Sequence, residues 1–253
     1  MPIALITGAS AGLGAEFARQ LAAQGNDLVL TARDGKRLED AAAVLRERYD
    51  VSVEVLAADL LSKEGLATVE ARVAASGPAA IDILVNNAGF GLQKSFAENS
   101  IDDEVRLAEM LILVPLRLTH AALLQMLPRA AGTVINVASV AGYTPRETYG
   151  AAKTWVLSFS RWAGVFYRGR GVRVAAIAPG FVRTEFHSRM GVTAVDTVPG
   201  FLWLKAEDVV RIGLRDVARG KAISVPTARY KIAVALASVL PTRLVAAGAA
   251  RGR

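Results

Sequence analysis

The chain contains no cysteine, which excludes disulfides, thiolate nucleophiles and thiolate metal ligands, and suits a reducing compartment. Histidine is almost missing too, with two in 253 residues, His120 and His187, and no metal site is expected. No apolar run approaches the roughly 20 residues of a membrane span, and the first strand-like segment starts at residue 2, leaving no room for a signal peptide. A cytoplasmic location is the expectation. Linkers, repeats and low-complexity tracts are lacking, so no second folded domain is needed. Acid is missing altogether after Asp216. Residues 1–128 hold 11 Lys+Arg against 17 Asp+Glu, and residues 129–253 hold 19 against 6. The basic half carries no stripe of interleaved aromatics, so nucleic acid is not the expected partner. A solvated basic face that also attracts an anionic cofactor accounts for it.

Hydrophobic residues make up 53% of the chain, and they fall into short runs. Runs of strand length are Pro2–Thr7, Asp27–Ala32, Ser52–Ala57, Ile81–Asn86, Thr133–Ala138, Val172–Ala178 and Ala222–Pro226. Most are apolar throughout, as in a parallel sheet buried on both faces. Helical patterns lie between them, at about 13–24, 35–48, 62–75, 101–127, 149–168 and 205–219. The expected fold is α/β: a single Rossmann-type doubly wound parallel sheet of about seven strands with helices on both faces. Ligands of such sheets bind beyond the carboxyl ends of the strands, so the residues after each run are the ones to read.

After the first run come Gly8, Gly12 and Gly14, leading into a helix. Glycine permits the sharp turn and the close backbone approach, and the free amides of the helix start face an anion such as a diphosphate. The same residues admit a second reading. Gly8-Ala9-Ser10-Ala11-Gly12 fits the Gly-x-Ser-x-Gly nucleophile elbow of a serine hydrolase. That elbow belongs to a central strand reached after several others, whereas nothing but one strand precedes Ser10.

After the second run, Arg33 suits the 2′-phosphate of NADP, while Asp34 competes as a ribose ligand or serves as a helix N-cap. After the third, Asp59 either accepts from an adenine amine or caps the next helix. After the fourth, Asn86-Asn87-Ala88-Gly89 can tie strand ends together and leave the backbone open to a cofactor, or form a plain turn. Tyr149 and Lys153 stand four apart on a helical pattern, one turn apart on one face. An ammonium there lowers a phenol's pKa toward the range useful for acid–base work; a surface pair is the plain alternative. Ser139, ten residues before Tyr149, places a hydroxyl at the end of the fifth run.

Thr7-Gly8-x3-Gly12-x-Gly14, Asn86-Asn87-Ala88-Gly89, Ser139, Tyr149-x3-Lys153 and Pro179-Gly180-x3-Thr184 together resemble the short-chain dehydrogenases/reductases in order and approximate spacing, over about residues 2–226. The resemblance implies an NAD(P)-dependent oxidoreductase that interconverts a ketone and a secondary alcohol. Tyr149 would be the general acid/base, Ser139 would bond the substrate oxygen, and Lys153 would hold the nicotinamide ribose and lower the tyrosine pKa. It places Pro179, Gly180, Val182 and Thr184 at the carboxamide, and Ser10, Leu13, Asp59, Leu60, Asn87 and Gly89 along the remaining cofactor groove. With Arg33, the expected cofactor is NADP(H) in preference to NAD(H). Two departures stand out: Leu111 occupies the position where the family usually has an asparagine, and the Ser139–Tyr149 separation is about three residues shorter than is common. A non-catalytic NADP-binding sensor or scaffold is the competing reading, and Leu111 favours it.

The family resemblance divides the chain into a catalytic domain, 1–227, and an apolar and basic extension, 228–253. Within the domain it makes about 185–204 a substrate lid. The lid carries Phe186, Met190, Val192, Val195, Val198, Phe201, Leu202, Trp203 and Leu204, which predicts an apolar carbonyl or alcohol substrate, acyl, lipid or steroid-like. The extension can pack on its own subunit, join a homodimer or homotetramer, or make weak peripheral contact with anionic lipid. Pro241 should interrupt any helix in it.

Overall fold

The computed structural model describes residues 1–185, 198–241, 243 and 245. Among them, seven strands form one parallel sheet: β1 Ile3–Thr7, β2 Asp27–Ala32, β3 Val53–Ala57, β4 Ile83–Asn86, β5 Gly132–Val137, β6 Val172–Ile177 and β7 Ile223–Ser224. Their order is β3-β2-β1-β4-β5-β6-β7. Leu5 of β1 pairs with Val29 of β2 on one side and Leu84 of β4 on the other. The winding therefore reverses between β1 and β4, which opens a crevice there at the carboxyl edge.

Successive side chains point to opposite faces of a strand. Ile6 goes to the side packed with Phe17, Leu38 and Ile177, and Leu5 to the side packed with Leu107, Leu118 and Val134. Covering these faces are α1 Gly12–Ala22, α2 Gly35–Tyr49, α3 Lys63–Val73, α4 Ile101–Ala108, α5 Val114–Met126, α6 Glu147–Phe166, α7 Ala206–Ala218 and α8 Ala228–Val239. Local chemistry sets several of their starts. Asp34, Ser62 and Ser100 accept hydrogen bonds from the backbone amides of Arg37, Gly65 and Asp103, capping α2, α3 and α4. Asp34 is thus a helix cap, and the cap before α3 is Ser62 rather than Asp59.

The predicted helix over 101–127 is a composite. A five-residue π turn, Glu109–Leu113, joins α4 to α5. Ile101–Met126 is long and apolar enough, by length and composition, to cross a membrane, which the search for unbroken apolar runs did not anticipate. Its apolar window is 56% buried in the molecule, as expected of a core helix. The extension contributes α8, which stops at Val239, before Pro241, in keeping with the steric bias against helix before proline.

One buried charge holds the far edge of the sheet. Asp216 of α7 is 1% exposed and accepts from Lys221 Nζ at 2.9 Å and Ser224 Oγ at 2.8 Å. Burial pushes its carboxyl up, but these donors outweigh it and hold the pKa below the ordinary 3.8. The pairing therefore contributes in full above about pH 4 and is lost as pH falls through the lower folded-state value. Asp216→Ala should cost about 1–3 kcal/mol at neutral pH, chiefly by leaving the buried Ser224 hydroxyl without its acceptor, since Lys221 is half exposed and turns to water. The deficit, read from urea melts at neutral pH and near pH 3, should shrink in acid; an unchanged deficit would reject the assignment.

Candidate active site

The carboxyl edge gathers the residues singled out in the sequence. Gly8 and Gly12 adopt φ of +67° and +56°, the left-handed region that glycine enters without steric cost. At Gly14 the constraint is contact: a β-carbon would lie 2.1 Å from the carbonyl oxygen of Gly8. Loop and helix can approach this closely only without a side chain. Ala11, at the N-cap of α1, offers no side-chain hydrogen bond, so the first amides of the helix keep their capacity for an anion.

The loop is braced from β4. Thr7 Oγ1 accepts from the amides of Asn87 and Ala88, each at 2.9 Å, and Asn87 Nδ2 donates to Thr7 O at 2.9 Å. Asn87 thus fixes the shape of the cradle. Asn86 ties strands as anticipated: its Nδ2 donates to Asn136 Oδ1 at 2.8 Å, and Asn136 Nδ2 donates to Ser160 Oγ at 3.0 Å. Thr184 closes the cradle from the other side, its Cβ 3.2 Å from the position a Gly12 β-carbon would take.

Arg33 is exposed just beyond β2, and among the described residues it makes no ion pair. Asp59 Oδ1 accepts from the Leu61 amide at 3.0 Å. Leu60 is 5% exposed and packs in the core, so its side chain does not line the groove. Ser10 and Leu13 are partly exposed on the loop and the first turn of α1. Val182 is buried and bridges to Leu204, and Pro179 O accepts from the Val140 amide at 2.9 Å, joining the loops after β5 and β6. Gly89 lies against Leu111, whose Cδ2 is 2.9 Å from the site of a Gly89 β-carbon.

Ser139 follows β5 and opens a short helical turn, Val140–Tyr143, its Oγ accepting from the Ala141 amide at 3.1 Å. The loop then enters α6 through Glu147, at φ +46°, a conformation that costs a residue with a β-carbon about 1–2 kcal/mol. Tyr149 and Lys153 follow on one face of α6. The Ser139 hydroxyl is near enough to the Tyr149 phenol to pull its pKa down, Lys153 Nζ lies 5.7 Å from the centre of the Tyr149 ring, and Nζ donates to Val137 O at 2.7 Å. The three side chains are assembled together.

Their electrostatics depart from expectation. Tyr149 keeps part of its ring surface exposed, yet the desolvated setting of its oxygen pushes the pKa up to about 12, against smaller downward pulls from the Ser139 hydrogen bond and the Arg146 cation. Lys153, 6% exposed, is drawn down to about 8 by burial. Desolvation thus penalises the charged form of both groups, and the phenol stays above its ordinary value. A cavity of about 10 Å³, room for one water molecule, lies beside Lys153, bordered by Asn86, Asn136, Met110 and Leu111. Leu111 fills, from the π turn, the place where a polar side chain would otherwise face it.

Sequence reasoning missed three partners. Arg37 forms an ion pair with Glu185, its Nη1 3.0 Å from Oε2, linking α2 to the residue after Thr184. Asn136 and Ser160 complete the buried chain beneath the site. Tyr230 of α8 donates to Leu202 O at 2.9 Å and accepts from the Phe181 amide at 3.1 Å. Only Asn136, inside a predicted strand, carried a signal, being a polar residue in an apolar run. Most of the expected lid, including Phe186, Met190, Val192 and Val195, lies outside the described residues, as does His187. His120, the other imidazole a hydrolase would need, is exposed on α5.

Comparison with known proteins agrees with this geometry. The family model for short chain dehydrogenases matches residues 2–193. A short-chain dehydrogenase from Sphingobium yanoikuyae, solved with NADPH, superposes with a TM-score of 0.85 at 34% identity over 95% of this chain and 96% of that one. The bulky-bulky ketone specific alcohol dehydrogenase of Comamonas testosteroni gives 0.80 at 30% identity over 95% of each. The 3-oxoacyl-(acyl-carrier-protein) reductase of Aquifex aeolicus is 30% identical over 188 residues, 72% of this chain and 75% of that protein. The chain is thus a member of the short-chain dehydrogenase family of oxidoreductases, acting between CH–OH and C=O groups.

Proposed function

We propose that this chain is an NADP(H)-dependent oxidoreductase that reduces an apolar ketone to a secondary alcohol, with Tyr149 as the general acid. The observation that carries the reading is the gathering of Ser139, Tyr149 and Lys153 at the same sheet edge as the glycine cradle. The residues fit the cofactor. The tight approach of Gly14 to Gly8 leaves room for a diphosphate where a side chain would fill it, and Arg33 presents a cation suited to a 2′-phosphate. Thr184 and the backbone of Pro179, Gly180 and Val182 would hold the nicotinamide end. The nicotinamide supplies or accepts the hydride when bound.

The chain's own groups handle the proton. Ser139 holds the substrate oxygen by a hydrogen bond, and Tyr149 delivers its phenolic proton to that oxygen as the carbonyl becomes an alcohol. Lys153, close behind the ring, stabilises the phenolate that results. Reduction consumes neutral tyrosine and oxidation requires phenolate. With the Tyr149 pKa pushed up to about 12, oxidation at saturating substrate should accelerate with rising pH across the measurable range while reduction does not. Identical profiles in the two directions would reject Tyr149 as the proton carrier.

The described part of the lid supports an apolar substrate. Phe181 and Trp203 pack with ring centres 5.7 Å apart, and Phe201 is 67% exposed. The similarity to a dehydrogenase specific for bulky ketones points the same way. NADPH consumption by the purified protein against polycyclic, long-chain and small polar ketones tests the reading; preference for the small polar group would overturn it.

An aromatic ladder along α6 supports self-association into a homodimer or homotetramer. Trp155 stacks on Phe159 and Trp162 on Phe166, with Phe159 and Trp162 tilted against each other between them, and Trp162 and Phe166 are 52% and 56% exposed. Such a surface is large for a monomer to leave in water. The outer face of α8, with Ile232, Leu236 and Val239 beside Arg229 and Lys231, favours a second, weaker contact with anionic lipid.

A further inference from the structure

The C-terminal helix reaches into the active-site scaffold through one side chain. Tyr230 is the buried residue of α8, 6% exposed, and its ring and hydroxyl act on different targets. The ring lies flat against Gly180, where a β-carbon would come within 1.9 Å of Cζ. Its hydroxyl accepts from the Phe181 amide at 3.1 Å and donates to Leu202 O at 2.9 Å. From there the two connected segments form a short ladder, with Leu204 N donating to Phe181 O at 2.8 Å and Arg183 N to Leu204 O at 3.0 Å. The ladder stops at Phe181, and Tyr230 supplies the next rung.

We infer that Tyr230 is a positioning residue for the nicotinamide end of the cofactor site, making α8 a working part of that site. This rests on the reading of the protein as an NADP(H) enzyme. The Phe181 N–H and the Gly180 C=O belong to one rigid peptide plane. Fixing the N–H therefore fixes the direction of the Gly180 carbonyl, between Pro179 and Val182, and the ring removes the alternative of the plane tilting toward α8. Burial pushes the Tyr230 phenol above its ordinary value of 10.0, so the hydroxyl remains able to donate and accept at once. Among the described residues the Tyr230 hydroxyl bonds neither the glycine cradle nor Arg33, and the adenosine half of the site should be indifferent to it.

Tyr230→Phe keeps the ring and deletes the two hydrogen bonds. NADPH affinity, measured by fluorescence titration, should fall about tenfold, while the affinity for 2′,5′-ADP, which carries only the adenosine half, stays within about twofold. Gly180→Ala, whose methyl group would displace the ring and its hydroxyl together, should produce a selective loss at least as large. Equal weakening of both ligands, or no weakening of NADPH in either variant, would overturn the inference. Failure of the unmodified protein to bind 2′,5′-ADP would instead overturn the cofactor assignment, and the inference with it.

Discussion

Replacing Tyr149 by phenylalanine should lower the rate of ketone reduction by about 10²–10⁴-fold, the usual worth of a positioned proton donor, while NADPH affinity changes by no more than about twofold. The substitution removes one oxygen and leaves the ring in its pocket, so the fold and the cofactor cradle are undisturbed. What is lost is the proton that meets the developing alkoxide and the partner of the Ser139 hydroxyl. Stopped-flow single turnovers with a bulky ketone separate this loss from slow product release. The same variant decides between an enzyme and a sensor. A cofactor-binding scaffold would show no turnover to lose, and retention of full activity would mean that another group supplies the proton.

Replacing Arg33 by alanine should raise the KM for NADPH by about 10–100-fold, the equivalent of one charge-assisted pair to a phosphate, and leave the KM for NADH within about twofold. Arg33 is exposed and makes no ion pair among the described residues, so its removal strands nothing in the fold. Asp34 beside it is committed to capping α2 through the Arg37 amide at 3.0 Å and is not placed to take over. The cations that follow it on α2 are already paired, Lys36 with Asp40 and Arg37 with Glu185. Equal effects on the two cofactors would shift the discrimination from Arg33 to the Arg37–Glu185 pair, and a further Arg37→Ala substitution would show it.

The fold was legible because a doubly wound sheet writes itself plainly: strands buried on both faces are apolar without alternation, and the glycines at Gly8, Gly12 and Gly14 mark where the first must turn. The Ser139, Tyr149 and Lys153 set was legible for a similar reason, since helical spacing fixes which side chains share a face. The protonation balance was not. A neighbouring ammonium suggests a lowered phenol pKa, but the strength of that pull depends on how dry the setting is, and dryness is a property of the packed molecule. Leu60 shows what a loop position leaves open: it sends its side chain into the core, so only its backbone is left to face the groove, and the sequence does not distinguish the two. Tyr230 lay beyond sequence reasoning altogether. Its partners, Phe181 and Leu202, are far away along the chain, and its contacts are to backbone atoms, which leave no residue-type signature.

The amide pair beneath the site has a bearing on how the sheet assembles. Asn86 and Asn136 are direct partners in the β4–β5 register, and their side chains meet at 2.8 Å on one face, with Ser160 of α6 completing the chain. A slip of one residue between the two strands would send one amide to the opposite face and strand both in hydrocarbon, at a cost of several kcal/mol. An otherwise uniform run of Val, Ile and Leu has no such preference between neighbouring alignments. The amides therefore single out the one β4–β5 alignment in which Asn136 also meets Ser160 of α6, the helix that carries Tyr149 and Lys153.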